Sequence, residues 1–209
     1  MSVNSLNEFL ARARSALAVP TLYWLGHGGW VDNEAATLQP GRAIDIVQAL
    51  ARKRIDDPSV AAQYEAAIAH NGLKLADLPR VACDCSGFVA WALGLPRTPA
   101  PLLNNGWINT DSMHQDATHG QTMFKRLERA LPGALLIYPQ PGSSHPGHVA
   151  IVSAVDAQGR ATRMIHCAAE NYLIEAAAGA VRNAIAETGI DLFAANPATV
   201  VAVYRPFAL

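Results

Sequence analysis

Apolar positions recur at helical spacing early in the chain and at strand spacing later. Over residues 3–17, Leu6, Phe9, Leu10 and Leu17 can share one helical face, and Ser5 followed by Glu8 has the spacing of a capping box. Further helices are predicted over 43–54 and 58–70, with breaks at Pro40-Gly41, Asp57-Pro58 and Asn71-Gly72. Pro58 suits the first turn of its helix, and Asn71-Gly72 is a C-terminal stop. A short apolar helix covers 86–93 and ends at Gly94 and Pro96. Residues 97–121, rich in Pro, Asn, Thr and Gly, predict a long, partly ordered loop, and a helix near 122–130 leads through Leu131-Pro132-Gly133 into a strand over 134–138. After a loop at 139–147, strands over 148–155 and 161–167 flank a turn at 156–159 and form a β-hairpin. A helix around 172–187 and a strand over 199–204 finish the chain. Helices first and antiparallel strands later predict an α+β fold, its helices packed on one antiparallel sheet.

At 209 residues the chain fits one domain, with 51% hydrophobic and only 16% charged residues to build its core. Sixteen basic residues balance seventeen acidic ones without a Lys/Arg cluster, so nucleic acid is not an expected partner. Apolar runs such as 134–138 and 149–152 are too short for a membrane span. The N-terminus lacks the basic start and unbroken apolar stretch of a signal peptide. The expectation is synthesis in the cytoplasm, with any export by a specialised route. Three cysteines, Cys83, Cys85 and Cys167, fit a reduced compartment better than a disulfide framework, and an odd count leaves at least one free thiol.

Cys85 stands where a nucleophile would be placed. It opens the 86–93 helix directly after Asp84, a residue suited to the N-cap. Unpaired N–H groups and the positive end of the helix dipole favour thiolate over thiol, and the same N–H groups can donate to an oxyanion. Gly87 removes a side chain near the sulfur and lets substrate approach. Alone, Cys85 would read as a small buried apolar residue, as most free cysteines do.

His148 follows Pro146-Gly147 and opens a strand whose next residues, Val149-Ala150-Ile151-Val152, are apolar on both faces, as in a central covered strand. An imidazole at the mouth of such a strand can deprotonate a thiol across a cleft and later protonate the leaving amine. His166 lies on the partner strand. A plain four-residue turn pairs Val155 with Arg160 and His148 with Cys167, which sends His166 to the far face. One extra residue, such as a bulge at Gly159, sets His148 opposite His166, where His166 can orient the base. Separately these histidines read as a loop residue and a satisfied core residue; with Cys85 they supply complementary roles.

A zinc site is the rival use of Cys and His. Cys83 and Cys85 are one residue apart, not two to four, and His145 and His148 lie on a Pro-Gly loop, so neither a metal nor another cofactor is expected. A serine hydrolase would show a Gly-x-Ser-x-Gly elbow, which the sequence lacks.

Six elements in order resemble the NlpC-type cell-wall peptidases, a papain-like family. They are Tyr23-Trp24-Leu25-Gly26, Asp84-Cys85-Ser86-Gly87-Phe88-Val89, Leu95-Pro96-Arg97-Thr98, Pro132-Gly133-Ala134-Leu135 (Ala134 replacing the family's acid), Gly147-His148-Val149-Ala150-Ile151 and Met164-Ile165-His166. They span about residues 20–170. The resemblance implies a single papain-like domain over 1–209, with Cys85 as nucleophile, His148 as base and His166 as orienter. It further implies Tyr23 as an oxyanion or substrate contact, and Asp84 and Ser86 as contacts to the amine and carboxylate of a short acidic peptide. One departure is a mostly helical insertion at about 31–80, where the family has a short loop.

The activity implied is hydrolysis of an amide bond next to D-glutamate in a peptidoglycan stem peptide or muropeptide. Three settings fit a chain without a leader: an injected antibacterial effector, whose partner would be an immunity protein, a phage-derived lysin, or a recycling enzyme. Two alternatives stay open: a deamidase or acyltransferase with the same Cys-His-His set acting on a protein or lipid, and a binding protein on a dead catalytic scaffold.

Overall fold

The computed structural model describes residues 3–28, 39–44, 46–56, 58–59, 61–62, 65, 80–97, 108–140, 147–173 and 183–208. In chain order the elements are α1 (Leu6–Ser15), β1 (Thr21–Tyr23), β2 (Arg42–Ile44), α2 (Ile46–Asp56), β3 (Arg80–Cys83), α3 (Cys85–Leu93) and α4 (Thr110–Gln115). They continue with β4 (Phe124–Leu127), β5 (Leu135–Tyr138), β6 (His148–Val155), β7 (Ala161–Cys167), β8 (Ile185–Thr188), α5 (Asp191–Ala194) and β9 (Val200–Tyr204). The fold is α+β. Six strands form an antiparallel sheet in the order β4-β9-β5-β6-β7-β8, and β1-β3-β2 form a small sheet in which β1 and β3 run parallel.

Helix α3 lies on one face of the large sheet. Phe88, Val89 and Ala92 are buried in one core cluster with Val149, Ile151 and Ile165, and α1 adds Phe9, Leu10 and Ala13. Arg12 of α1 stands 4.5 Å over the Trp91 ring, a cation–π contact that seats α1 on α3. The other face of the sheet carries a smaller cluster of Leu136, Tyr138, Ala150, Val152, Met164 and Phe193. Strand β6 is therefore covered on both sides, as its unbroken apolar run predicts.

Several expectations are corrected. The capping box of α1 is half formed: Ser5 accepts from the Glu8 N–H, but the Glu8 carboxylate takes the N–H of Asn4 at 2.8 Å. Leu17, beyond the helix end, is 36% exposed and leaves the apolar face. The helix expected over 43–54 starts later, after β2. Part of the loop at 97–121 is helical, because Asn109 and Ser112 form a capping box that starts α4. The helix expected near 122–130 is strand β4. Asp116 accepts the backbone N–H groups of Thr122, Met123 and Phe124, which holds the chain extended as it meets β9. Most of the helix expected at 172–187 (174–182) lies outside the described residues, but at its end residues 185–188 form β8 on the edge of β7. Alanine richness suggests helix there, but an unsatisfied sheet edge outweighs so weak a propensity.

Strands β1 and β3, three and four residues long, carry too little period to be read. Within the expected insertion at 31–80, β2 pairs with β3, so that segment is not wholly helical. Most of the helix expected at 58–70 and the stop at Asn71-Gly72 lie outside the described residues.

The hairpin settles the parity of the two histidines. Val155 pairs with Ala161, leaving 156–160 in the turn with Gly159 left-handed at φ 73°. The extra residue sits in that turn, and a compensating irregularity lies between Val152 and Ala154. Ile151 faces Ile165, and one further step along that register sets Ala150 opposite His166. The expected direct pairing of His148 with His166 does not form. The two instead sit one diagonal step apart on the same face, with the small Ala150 between them.

Candidate active site

Strand β3 delivers the chain to Asp84, whose N–H donates to His27 O at 2.9 Å. Asp84 caps α3 by accepting the Gly87 N–H at 2.6 Å. Its carboxylate also accepts the Gly26 N–H at 2.8 Å, the Ser86 hydroxyl at 3.0 Å, and both terminal nitrogens of Arg97 at 2.7 and 3.1 Å. With Asp84 and Arg97 almost wholly buried, this bidentate pair fixes the first turn of α3. Those five hydrogen bonds exceed the four lone-pair sites of a carboxylate, so Asp84 keeps no open position for a substrate amine. The Ser86 hydroxyl proton is committed to the same carboxylate. Arg97 belongs to a motif visible in the sequence, but its role as the partner of Asp84 is not.

Gly87 has a different reason from the one its place beside the sulfur suggests. A Cβ there would collide with His27 O and the Arg97 guanidinium. The glycine admits the 27–28 loop and Arg97, not substrate.

Cys85 begins α3 and is only 5% exposed. Burial, then the Asp84 carboxylate, pushes its thiol up to about 12, against the opposing pull of the Val149 and Ser86 N–H groups and of Arg97. The expected thiolate is thus outweighed, and the resting group is a neutral thiol. The Val149 N–H reaches the sulfur from the residue directly after His148, which brings the head of β6 against the tip of α3. Cys85 and His148 share no hydrogen bond among the described residues.

The His148 ring packs on Phe193 at 5.6 Å and lies 6.2 Å from Tyr138, its neighbour on β5. Its Nε2 is 2.8 Å from Nδ1 of His166, whose Nε2 is 3.0 Å from the Thr188 hydroxyl. The Thr188 hydroxyl also lies 3.1 Å from Gly189 O, and with its proton given to that carbonyl one set of tautomers follows along the row. With its proton spent, Thr188 accepts from His166 Nε2–H. His166 Nδ1 is then an acceptor and takes the proton of His148 Nε2–H. His148 Nδ1 is left with a lone pair and, among the described residues, no hydrogen-bond partner. Asn171 steadies the row from behind, donating to His166 O at 3.1 Å and Ala184 O at 2.6 Å. Thr188, Asn171, Tyr138 and Phe193 carry no local signal that sequence reading could use.

Burial, then the neighbouring His166, lowers His148 to about 3, and burial lowers His166 to about 4. An unfolded histidine takes up its proton near pH 6.5. Between that pH and the folded values the unfolded chain binds more protons, so stability is full above about pH 6.5 and falls as pH drops. Urea titrations should show unfolding free energy falling from about pH 7 to about pH 5, by up to about 2 kcal/mol per histidine. His148→Gln should remove about half of that slope. A flat profile in the wild-type chain would mean that both imidazoles are solvated.

Two cavities meet at this point. One of about 270 Å³ is lined by Cys85, Asp84, Ser86, Arg97 and Asp111; another of about 520 Å³ is lined by His148, His166, Tyr138, Glu170 and Asp191. Tyr23 and Gly147 line both, so the thiol and the imidazole open into two halves of one depression. Burial, with the nearby Asp84 carboxylate adding to it, raises the Tyr23 phenol well above its ordinary range, so it stays protonated and can donate. Among the described residues no group of three His, Cys, Asp or Glu side chains is placed to hold a metal ion, and no helix is long and apolar enough to cross a membrane. Comparison with protein-family models, curated proteins and solved structures finds no match to this chain.

Proposed function

We propose that the chain is a papain-like, NlpC-type cysteine peptidase or amidase that hydrolyses an amide bond next to D-glutamate in peptidoglycan stem peptides. One observation carries the chemistry. With Thr188 donating to Gly189 O, the Thr188–His166–His148 row leaves an acceptor nitrogen on His148, whose successor Val149 turns its N–H toward the Cys85 sulfur. The sequence motifs carry the substrate.

In this reading the Cys85 proton passes to His148 Nδ1 as the sulfur attacks the substrate carbonyl. The backbone N–H groups at the tip of α3, and the Tyr23 phenol across the depression, donate to the developing oxyanion. His148 then gives its proton to the departing amine, leaving a thioester on Cys85. A water, deprotonated by the same nitrogen, hydrolyses that ester to the acid and restores the thiol. His166 acts only through His148, holding its tautomer.

Mass spectrometry of purified peptidoglycan incubated with the chain tests this. Stem peptides cut beside D-glutamate are expected with the wild-type chain and none with Cys85→Ala. His166→Ala should slow cutting roughly 100-fold yet leave it measurable; a loss as complete as that of His148→Ala would mean that His166 does more than orient. An absence of fragments while a thiol probe labels Cys85 would redirect the reading to a deamidase or acyltransferase acting on a protein or lipid.

A further inference from the structure

The active-site reading uses one of three cysteines. Cys83 on β3 and Cys167 on β7 lie in contact, Sγ to Sγ 3.4 Å, and both are wholly buried in the main core. The Cys167 sulfur also rests 3.3 Å from Cys83 O, so the Cys167 side chain lies against the Cys83 backbone as well as its sulfur. A disulfide requires sulfurs about 2.05 Å apart, so forming one means closing the gap from 3.4 Å. The contact bridges the two sheets, since β3 is central in the small one and β7 interior in the large one. It lies beneath the candidate site: Cys83 is paired with Tyr23 and followed by Asp84-Cys85, while Cys167 follows His166.

We propose that Cys83 and Cys167 form a disulfide when the chain folds in an oxidising compartment, leaving Cys85 as its single free thiol. The co-reactant is an external disulfide, either small or carried by a thiol–disulfide oxidoreductase. A thiolate of one cysteine attacks that disulfide, giving a mixed disulfide and releasing one thiol. The second cysteine's thiolate displaces the remaining half. Two S–H bonds are lost, one S–S bond forms, and the oxidant leaves as two thiols.

Burial sets when this happens. In the folded chain both sulfurs are shut off from solvent, and burial, then the hydrogen bond with Cys83, holds the Cys167 thiol well above its ordinary range. Thiolate chemistry is therefore slow once the core has closed, and the bond forms during folding, before closure. Once formed, it is shielded from reductants by the same burial. The pairing also removes the two thiols that could capture Cys85 in a non-productive disulfide. Cysteine count alone favours a reducing compartment; the contact instead fits a chain equipped to work outside one.

Refolding the full chain in a buffer of reduced and oxidised glutathione, then trapping free thiols with iodoacetamide, tests this. Intact mass should show one alkylated cysteine and the loss of two hydrogens. A non-reducing peptide map should join the Cys83 and Cys167 peptides and place the alkyl group on Cys85. Oxidised chain should melt roughly 5–15 °C above chain held in dithiothreitol, because the bond closes a long loop. Cys85→Ala should form the same bond with no thiol left to alkylate, whether or not the chain is an enzyme. Three alkylated cysteines after oxidative refolding, or a map joining Cys85 to either of the others, would overturn the proposal.

Discussion

Cys85→Ala and His148→Ala should each reduce amide hydrolysis by roughly 10⁴-fold or more, to the background of the assay. Cys83→Ala, assayed in reducing buffer, should keep most of the wild-type rate. The contrast follows from where the sulfurs lie. Cys85 lines a cavity at the tip of α3, whereas Cys83 is wholly buried against Cys167. No neighbouring thiol can take over the attack. Removing the His148 imidazole leaves a thiol that burial pushes up to about 12 with no acceptor for its proton, so the sulfur stays protonated at neutral pH. Iodoacetamide labelling separates the two variants: Cys85→Ala lacks the reactive site, and His148→Ala retains a thiol that reacts slowly. Melting within a few degrees of wild type would show that both folds survive. An inactive Cys83→Ala beside an active Cys85→Ala would overturn the choice of nucleophile.

What the sequence displayed of this site is what local pattern can carry. Strands β6 and β7 were legible because strand period and apolar runs mark them, and α3 because Asp84 and Gly94 cap its ends. Counting residues around a plain turn sends His166 to the far face; the extra residue expected from the complementary roles of the two histidines restores the shared face, but not their direct pairing. Whether an extra residue adds to the turn or to the ladder depends on the left-handed Gly159 and the kink near Ser153, which only assembled strands reveal. Gly87 suggests space for substrate in the sequence alone, because its tight neighbours, His27 and Arg97, come from elsewhere in the chain. Thr188 and Asn171 were invisible for the same reason: each acquires its meaning from β7, some twenty and five residues back. Strand β8 was masked by an alanine-rich stretch whose helical preference is weaker than the hydrogen bonds β7 offers.

Asp84→Ala is the second large effect expected, and it should appear as unfolding more than as lost chemistry. The substitution takes from a guanidinium that is almost wholly buried its two hydrogen bonds to a carboxylate, leaving the one to His27 O. It also removes the acceptor of the Gly87 and Gly26 N–H groups. Removing the carboxylate of a buried ion pair costs up to roughly 3–5 kcal/mol and a lost N-cap about 1 kcal/mol, a large share of the roughly 5–15 kcal/mol by which domains of this kind are stable. Urea unfolding should therefore lose several kcal/mol, with turnover falling because α3 no longer holds Cys85 at the head of β6. If the lost counter-charge is the main cause, Asp84→Ala combined with Arg97→Met should be more stable than Asp84→Ala alone. The methionine fills part of the guanidinium's space without needing a partner. A double variant no more stable than the single one would assign the cost to the cap and the Gly26 contact instead. A single variant losing under about 1 kcal/mol would mean that solvent reaches the pair, and with it the ground beneath the nucleophile.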